Sequence, residues 1–545
     1  MQIKKLRLFF DWQKLLFLLL LVFVFVGLSL RIHNLDSPPI GYHNMKEIEY
    51  LSEAKEFFYH DDYLHRRISF LGMMSPTGPG NFEEYVQLPI IPWLTLFTWK
   101  IFDIQIWLPR LIIVLFSLGS IPLSYYLSNE LTEKKEISVV AAFLMAIMPL
   151  SVFFGRNIQP ETPALFFMLL SSYHYLKWTK NLSSKYLLVS LMAFSIGGLF
   201  KYTFMIFAIP LLFLFPFDKI KNETNRDKFL RQIPLIILSI SPLFLWALFS
   251  KFTNLNSEHL FTFFRINIFE IFTSEYWGKY FAIIKAYLFS NFTVFYAGLA
   301  LIGVLFCFRE SKTSLSKFIM GCTFMAIPYS MILSDYIRQH SYYQMPFLPL
   351  VCLASAYGMY KISEVKLNLN KNLKYSIIIG LIFVSFPIVS QNIDNHYDTI
   401  FFGLDVAGNS INELSNKEDR IFISGHAQTV GMLWSADRYG DFLPATLDMF
   451  KFGENERHMK WIFVYDNIGI SKLRENAEIW EYINKSYFIK EVGFIEIGEN
   501  LEQKYFILEK GGSIDMTGAS LEIPKLAAEY KTSYGLVKLY SSRAR

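Results

Sequence analysis

The stretch LLFLLLLVFVFVGLSL, residues 15–30, is apolar except for one glycine and one serine, and it carries no charge. A helix needs about 20 predominantly apolar residues to cross a hydrocarbon layer roughly 30 Å thick. With its flanking residues this stretch is long enough to do so. It therefore predicts a membrane-spanning helix near the start of the chain.

Similar apolar blocks recur as far as Ser390 and then largely stop. They explain why 53% of the 545 residues are hydrophobic and why the aromatic share, 17%, suits membrane helices. All three cysteines lie inside these blocks, so the sequence offers the water-exposed segments no disulfide. The pattern predicts about eleven spans, near residues 15–31, 105–126, 137–154, 162–178, 186–200, 204–217, 233–250, 288–308, 316–333, 344–360 and 375–390.

The block at residues 87–102 is shorter and less regular than the others. It carries Pro89 and Pro92 and ends near Lys100, which is typical of an amphipathic helix lying in the membrane interface. Counting it as a further span would invert every loop that follows. We therefore expect it to lie on the membrane surface, within a first loop of residues 32–104.

The distribution of lysine and arginine predicts the orientation, because these residues accumulate on the cytoplasmic side. With the N-terminus inside, the short outer loops hold only Arg156, Lys201 and Arg338. An odd number of spans then leaves the first loop and everything after Ser390 outside. The basic groups on the cytoplasmic side lie in residues 4–14, 134–135, 177–185, 219–231, 309–317 and 361–374.

Two domains follow from these patterns. Residues 1–390 are expected to form an all-α polytopic membrane domain. Residues 391–545 alternate strand-like runs, such as 420–424 and 487–497, with helical ones, such as 405–414. They predict a soluble, extracytoplasmic α/β domain, and the whole chain is expected in the inner or plasma membrane.

The first loop contains acidic residues on a predicted helix that starts near Lys46. Glu47 shares a helix face with Tyr50, whereas Glu49 points elsewhere because residues two apart do not share a face. A solvated amphipathic helix with acids near its N-terminal end would explain both glutamates. They are also candidates for a carboxylate that takes a proton from an acceptor hydroxyl.

A second group of polar residues joins two predicted spans. In FGRNIQPETP, residues 154–163, Glu161 complements the dipole at the start of a helix, which is a sufficient structural explanation. Arg156 is harder to explain in this way, since a charge beside hydrocarbon is costly unless it is paired or hydrated. Lys201, Arg338 and His340 end other spans on the same side, where cations commonly snorkel. Together these groups are suited to holding a leaving phosphate.

Five stretches resemble glycosyltransferases of family 39 in the GT-C superfamily, which includes protein O-mannosyltransferases and the aminoarabinose transferase of lipid A. In that family an acidic juxtamembrane helix is followed by a Pro-rich helix and by a second acid in the next outer loop. The resemblance is strongest over residues 30–215. Its stretches are EEYVQLPIIP (83–92), WLPRL (107–111), PLSVFFGRNIQPE (149–161), GLFK (198–201) and HSYYQMPFLP (340–349).

The sequence departs from the family at its first acidic motif. Many relatives carry Asp-Glu with a tyrosine three residues after the glutamate, whereas this chain has Lys46-Glu47 and then Tyr50. Another subgroup combines a Pro-Glu second motif with an acid that would fall at Glu49. The presence of Pro-Glu at 160–161 favours Glu49, and Tyr50 favours Glu47, so both stay candidates.

The resemblance implies inverting transfer of a sugar from a polyprenyl-phosphate donor to a hydroxyl of a lipid, glycan or protein acceptor on the outer face. It implies catalytic roles for Glu47 or Glu49 and for Glu161. No metal ligands are assigned, although a divalent metal held by Glu47 and Glu161 stays open. Membrane lipids are expected partners and nucleic acids are not. The candidate substrate-binding residues are Lys46, Tyr50, Lys100, Arg156, Lys201, Arg338, His340 and Tyr343.

Three other functions fit parts of the sequence. A ligase or polymerase of lipid-linked glycans would use the same scaffold. A transporter would place ionisable groups near the middle of its spans, whereas these spans are apolar through their middles. A non-catalytic scaffold would be consistent with Lys46 standing where relatives have an acid.

Overall fold

A computed structural model describes residues 12–60, 63–64, 67–70, 82–83, 87–253, 273–364, 371–498, 500–514 and 521–544. Residues 4–7 and Lys366, which contribute to the charge pattern, lie outside these ranges. So do residues 84–86 of the Pro-rich stretch. By its internal contacts the chain divides into two compact units. Unit 1 comprises residues 1–35, 86–90 and 110–393, and unit 2 comprises residues 36–85, 91–109 and 394–545.

Helices make up most of the described residues as far as Tyr397. They are α1 (Trp12–Arg31), α2 (Asn44–His60), α3 (Ile90–Phe102), α4 (Trp107–Thr132), α5 (Lys135–Ile147), α6 (Pro149–Phe154), α7 (Glu161–Asn181), α8 (Ser184–Phe200), α9 (Ala208–Phe213), α10 (Phe217–Ile220), α11 (Glu223–Leu230), α12 (Ile233–Thr253), α13 (Ser274–Arg309), α14 (Ser314–Ile332), α15 (Ser334–Gln339), α16 (Leu348–Ser363) and α17 (Lys371–Tyr397), with 3₁₀ turns at Tyr202–Phe207 and Ser341–Phe347.

Within the described ranges, seven helical segments are long and apolar enough to cross a membrane, judged by length and composition. Every predicted span coincides with helical structure, but some are interrupted. The span expected at 137–154 is broken between α5 and α6, where Met148 is extended and Pro149 opens the next helix. The seven segments are Lys14–Arg31, Trp107–Thr132, Glu223–Phe252, Lys285–Arg309, Ser314–Ile332, Ser341–Ser363 and Leu373–Tyr397.

Small residues allow two helices of unit 1 to approach closely. A side chain at Gly303 of α13 would lie 1.9 Å from the backbone oxygen of Ala354 in α16. A side chain at Gly358 of α16 would lie 2.3 Å from the backbone oxygen of Leu299. Such contacts are characteristic of helix association in membranes, where association depends on close packing.

The C-terminal part of the chain forms a seven-stranded sheet with helices on both faces. Its strands are β3 (Arg420–Ser424), β4 (Gly440–Phe442), β5 (Met459–Tyr465), β6 (Tyr487–Ile497), β7 (Asn500–Lys510), β8 (Lys525–Thr532) and β9 (Gly535–Arg543), after a small pair β1 (Arg67–Ile68) and β2 (Phe82–Glu83). Its helices are α18 (Leu404–Leu414), α19 (Met432–Ala436), α20 (Leu447–Glu456), α21 (Asp466–Glu475) and α22 (Ala477–Ser486), with a 3₁₀ turn at Ala427–Gly431.

The strand order is β4-β3-β5-β7-β6-β9-β8. The strands β4, β3 and β5 are parallel, and the remaining pairs are antiparallel. Alternate residues of the central strands enter two cores. Ile421 and Phe463 pack with α18 and α19 on one face, whereas Phe422 and Ile462 pack with α20, α21 and α22 on the other. The predicted fold class, a helical membrane part followed by an α/β part, is confirmed.

The first loop contributes to the core of unit 2. Ile48 of α2 is buried in the same cluster as the sheet residue Ile421. The backbone N–H of Met45 donates to the side-chain oxygen of Gln428 at 3.2 Å, and that of Gly440 donates to Ser69 O at 2.9 Å. The contacts thus group this loop with residues 394–545, whereas the boundary expected at residue 390 remains a prediction.

Candidate active site

Glu161 is the first residue of α7, in unit 1. The preceding segment leaves α6 at Gly155, and the Thr162 hydroxyl donates to the Phe154 backbone oxygen at 2.7 Å, which fixes the turn. Only 3% of Glu161 is exposed. Its carboxylate lies at the positive end of the helix dipole, as the sequence predicts.

Lys201 is the cationic partner of Glu161. It follows α8 with an extended backbone, and its Nζ lies 3.1 Å from Oε1 of Glu161. Both side chains are almost completely buried. The second carboxylate oxygen of Glu161 has no hydrogen bond to any residue in the part of the chain that the structure describes. This oxygen can therefore still accept a hydrogen bond, whereas buried polar atoms in proteins normally have a hydrogen-bond partner.

An aromatic segment covers the cation of this pair. Nζ of Lys201 lies 5.4 Å from the centre of the buried Tyr343 ring, a cation–π distance. His340 stacks on Tyr342 at 5.2 Å, and Tyr342 stacks on Tyr343 at 5.1 Å. Lys201, Tyr343 and His340 were all predicted from the sequence, and the structure brings them together with Glu161. Arg338 is exposed in the last turn of α15.

Arg156 has a different environment from the one predicted. Its guanidinium donates to the backbone oxygens of His33 and Asn34, the latter at 2.9 Å, and only 6% of the residue is exposed. These carbonyls follow the end of α1. These hydrogen bonds of Arg156 connect the residues that follow α1 to the segment that leads to Glu161. The role of Arg156 in phosphate binding stays a prediction.

The remaining predicted residues belong to unit 2. Nζ of Lys46 lies 2.6 Å from Oε2 of Glu49, so Lys46 neutralises its neighbour on α2. Glu47 and Tyr50 are each 5% exposed. Lys100 of α3 is exposed and donates to the Tyr63 hydroxyl at 2.9 Å.

Arg31 is a functional candidate that the sequence did not single out. It is completely buried, and it donates to the hydroxyls of Ser117 and Ser151 at 2.8 Å each and to the Ala146 backbone oxygen at 2.9 Å. The Ala146 carbonyl lies in the last turn of α5, where backbone acceptors lack helical partners. An arginine at the end of an apolar span resembles a snorkelling cation, which is why its role was missed.

Replacing Arg31 by methionine is expected to lower the stability of the folded protein by about 3 kcal/mol or more, because buried acceptors would lose a charged donor. Thermal unfolding of the purified protein measures the change. Arg231→Met, which removes an exposed arginine from the same unit, serves as the control. Equal unfolding temperatures for both variants would contradict a stabilising role for Arg31.

An apolar cavity of about 450 Å³ lies next to the ion pair in unit 1. Gly198, Leu199, Tyr202 and Thr203, which flank Lys201 on both sides, line one wall. The other walls come from α12, α14 and the segment before α3, with the side chains Leu88, Leu243, Phe244, Trp246, Tyr329 and Leu333. The chain segment that carries Lys201 thus borders a space suited to hydrocarbon.

Residues 86–246 match the family model described as dolichyl-phosphate-mannose-protein mannosyltransferase. No curated protein matches the chain in sequence. Among solved structures, the chain is similar to ArnT from Cupriavidus metallidurans bound to undecaprenyl phosphate. The two share 12% identity with a TM-score of 0.58, over 89% of this chain and 97% of the other.

Two further solved structures share the fold. One is the oligosaccharyltransferase AglB from Archaeoglobus fulgidus in complex with an inhibitory peptide and a dolichol-phosphate, at 12% identity and a TM-score of 0.53, over 89% of this chain and 73% of the other. The other is the arabinofuranosyltransferase AftD from Mycobacteria, at 10% identity and a TM-score of 0.53, over 94% of this chain and 41% of the other. At these identities the likeness shows the fold, and at that level the predicted resemblance to GT-C glycosyltransferases is confirmed.

Proposed function

We propose that the protein transfers a sugar from a polyprenyl-phosphate donor to a hydroxyl of a lipid, glycan or protein acceptor, with inversion, on the outer face of the membrane. The observation that carries this proposal is the buried Glu161–Lys201 pair, because residues on both sides of Lys201 in the chain line an apolar cavity. A lipid-linked donor has the two complementary groups, a phosphate for the lysine and a long hydrocarbon chain for the cavity. The family match over residues 86–246 supports this class of reaction.

Lys201 would act on the leaving group. As the acceptor oxygen forms its bond to the anomeric carbon, the bond from that carbon to the phosphate oxygen breaks, and the electron pair leaves with the polyprenyl phosphate. A cation placed where negative charge develops lowers the barrier, and it does so most strongly where water is excluded. Arg338, His340 and Lys100 would assist in holding the phosphate or the sugar.

The cavity beside Lys201 would hold the first isoprene units of the donor. Its walls include Leu199, Leu243 and Phe244, which offer contacts to hydrocarbon but few to water. Ligand sites commonly combine such a lining with a small number of polar groups that fix orientation. Here Lys201 would supply that fixed polar group.

Carboxylates would act on the acceptor. Glu47, or alternatively Glu49, would accept the proton of the attacking hydroxyl, with Tyr50 and Lys46 beside it on α2. Glu161 would keep Lys201 in place and orient the donor or acceptor through its second oxygen. Arg156 would support the loop that carries Glu161.

No step of this scheme requires a metal, because cations of the protein can neutralise the phosphate. Within the described ranges, no group of three His, Cys, Asp or Glu side chains could hold a metal ion. A divalent metal held by Glu47 and Glu161 stays a prediction. Adding a chelator to the transfer reaction tests it directly.

Purified protein in proteoliposomes, supplied with radiolabelled polyprenyl-phosphate sugars and an extract of envelope lipids and glycans, is expected to produce a labelled product and free polyprenyl phosphate. Water-soluble sugar phosphates should give no product, since they lack the chain that the cavity would hold. Glu161→Gln serves as the matched inactive variant. Equal product from this variant and the original protein would exclude the proposed site, and absence of product with every lipid-linked donor would exclude the proposed reaction.

A further inference from the structure

Unit 2 contains a cavity of its own, of about 730 Å³. It lies outside the carboxyl ends of the parallel strands β3 and β4, where Ser424 and Phe442 end their strands. Its other wall is formed by the end of α21 and the start of α22. In open α/β sheets, ligands bind in crevices at this edge, because the loops there can carry polar groups without disturbing the core.

Hydrogen bonds hold the walls of this cavity in place. The side-chain amide of Asn476 donates to the Ala445 backbone oxygen at 2.8 Å, and its oxygen accepts from the first N–H groups of α22. Nζ of Lys472 donates to the Gly425 backbone oxygen at 2.8 Å. The loop after β4, the turn after β3 and the two helices are therefore tied together before any ligand enters, which lowers the entropic cost of binding.

Two exposed carboxylates lie on the cavity wall. Glu475 and Glu478 line the space, and neither side chain has a hydrogen bond or an ion pair to any other residue in the portion of the chain described. Ionised carboxylates are strong acceptors for hydroxyl donors. Phe442 and Leu443 add an apolar surface opposite them.

The charge of the cavity argues against an anionic ligand. Its two carboxylates outnumber the one lysine, whose ammonium already donates to a backbone oxygen. The turn after β3 reads SGHAQT, residues 424–429, and lacks the spacing of glycines that cradles a nucleotide pyrophosphate. A neutral ligand that offers several hydroxyl donors and one apolar face fits this lining.

We propose that this cavity binds a neutral sugar residue of the glycan that the protein extends or modifies, with Glu475 and Glu478 accepting hydrogen bonds from its hydroxyls. The proposal rests on the proposed transferase function and adds a second carbohydrate site in unit 2. This site would retain the acceptor between encounters with the donor. It takes no part in bond making.

The test uses the full chain in lipid nanodiscs and saturation-transfer NMR, with methyl α-mannopyranoside, methyl β-galactopyranoside and methyl α-arabinofuranoside as probes. At least one probe is expected to receive saturation at its ring protons. The double variant Glu475→Gln and Glu478→Gln should raise the Kd of that probe about tenfold, since charged acceptors bind hydroxyls more strongly than neutral ones. Ala477→Trp, which fills the cavity from its rim, should abolish the signal.

Glu481→Gln is the matched control, because Glu481 lies on the same helix and already pairs with Lys485 at 2.6 Å. It should leave the Kd unchanged. Saturation of no probe, equal Kd values for all variants, or displacement of the sugar by inorganic phosphate would each overturn the proposal. The measurement needs no donor, and Glu161→Gln should bind the probe normally, so a failure here is distinct from a failure of sugar transfer.

Discussion

Replacing Lys201 by methionine is expected to lower the rate of sugar transfer by about 100- to 1,000-fold, the usual effect of removing one preorganised group that stabilises developing charge. The variant also leaves the Glu161 carboxylate buried without its cation, which costs about 3–5 kcal/mol of stability. Glu161→Gln should lower the stability by a similar amount, because it leaves the Lys201 ammonium buried without its carboxylate. A loss of activity in either single variant therefore combines a chemical effect with a folding effect.

The double variant Lys201→Met and Glu161→Gln separates the two effects. It removes both charges at once, so its unfolding temperature should return towards that of the original protein, while its transfer rate stays low. Transfer is measured with the lipid-linked donor that the original protein uses, and unfolding is measured on the same preparation. Lys180→Met breaks a partly exposed ion pair with Glu130 and should change neither quantity appreciably. Recovery of transfer together with stability would reduce the pair to a structural role.

The sequence predicted the individual members of the candidate site better than their arrangement. Glu161 and Lys201 were each predicted at the end of a span, because the apolar blocks mark where the spans end. Their pairing depends on how α7 and α8 pack, which no periodicity reveals across the 39 residues between them. Arg156 is a further example. Its place in the loop follows from the sequence, but its hydrogen bonds to the backbone oxygens of residues 33 and 34 do not.

The α/β part was predicted where its strands are long and buried. Strands β3 and β6 match the expected runs at 420–424 and 487–497, because alternating or continuous apolar residues mark them clearly. Strand β4 has only three residues, too few for a pattern, and β8 is an edge strand whose residues are largely exposed. The packing of Ile48 from the first loop into the core of unit 2 is a long-range contact that local sequence does not encode.

The second large expected effect is on the transfer rate, and it distinguishes Glu47 from Glu49 as the base. Proton transfer to a carboxylate competes with an ion pair that the carboxylate already makes, and Oε2 of Glu49 lies 2.6 Å from Nζ of Lys46. Glu47 lies on the same face as Tyr50 and is 5% exposed, the kind of environment in which a general base works with little competition from water. We therefore expect Glu47→Gln to reduce transfer by about 100- to 10,000-fold, and Glu49→Gln to reduce it by less than about tenfold.

Two further variants make this comparison decisive. Glu56→Gln introduces the same change at a similarly buried position of α2, where the glutamate faces His60, so it measures the cost to folding alone. Lys46→Met releases Glu49 from its ion pair. If Glu49 were the base, this release would raise the transfer rate, whereas Glu49→Gln would lower it by far more than tenfold. If Glu47 is the base, Lys46→Met and Glu49→Gln should both stay within tenfold of the original rate. Equal losses for Glu47→Gln and Glu56→Gln would assign Glu47 to folding, because a group that takes the acceptor's proton affects the rate beyond its effect on stability.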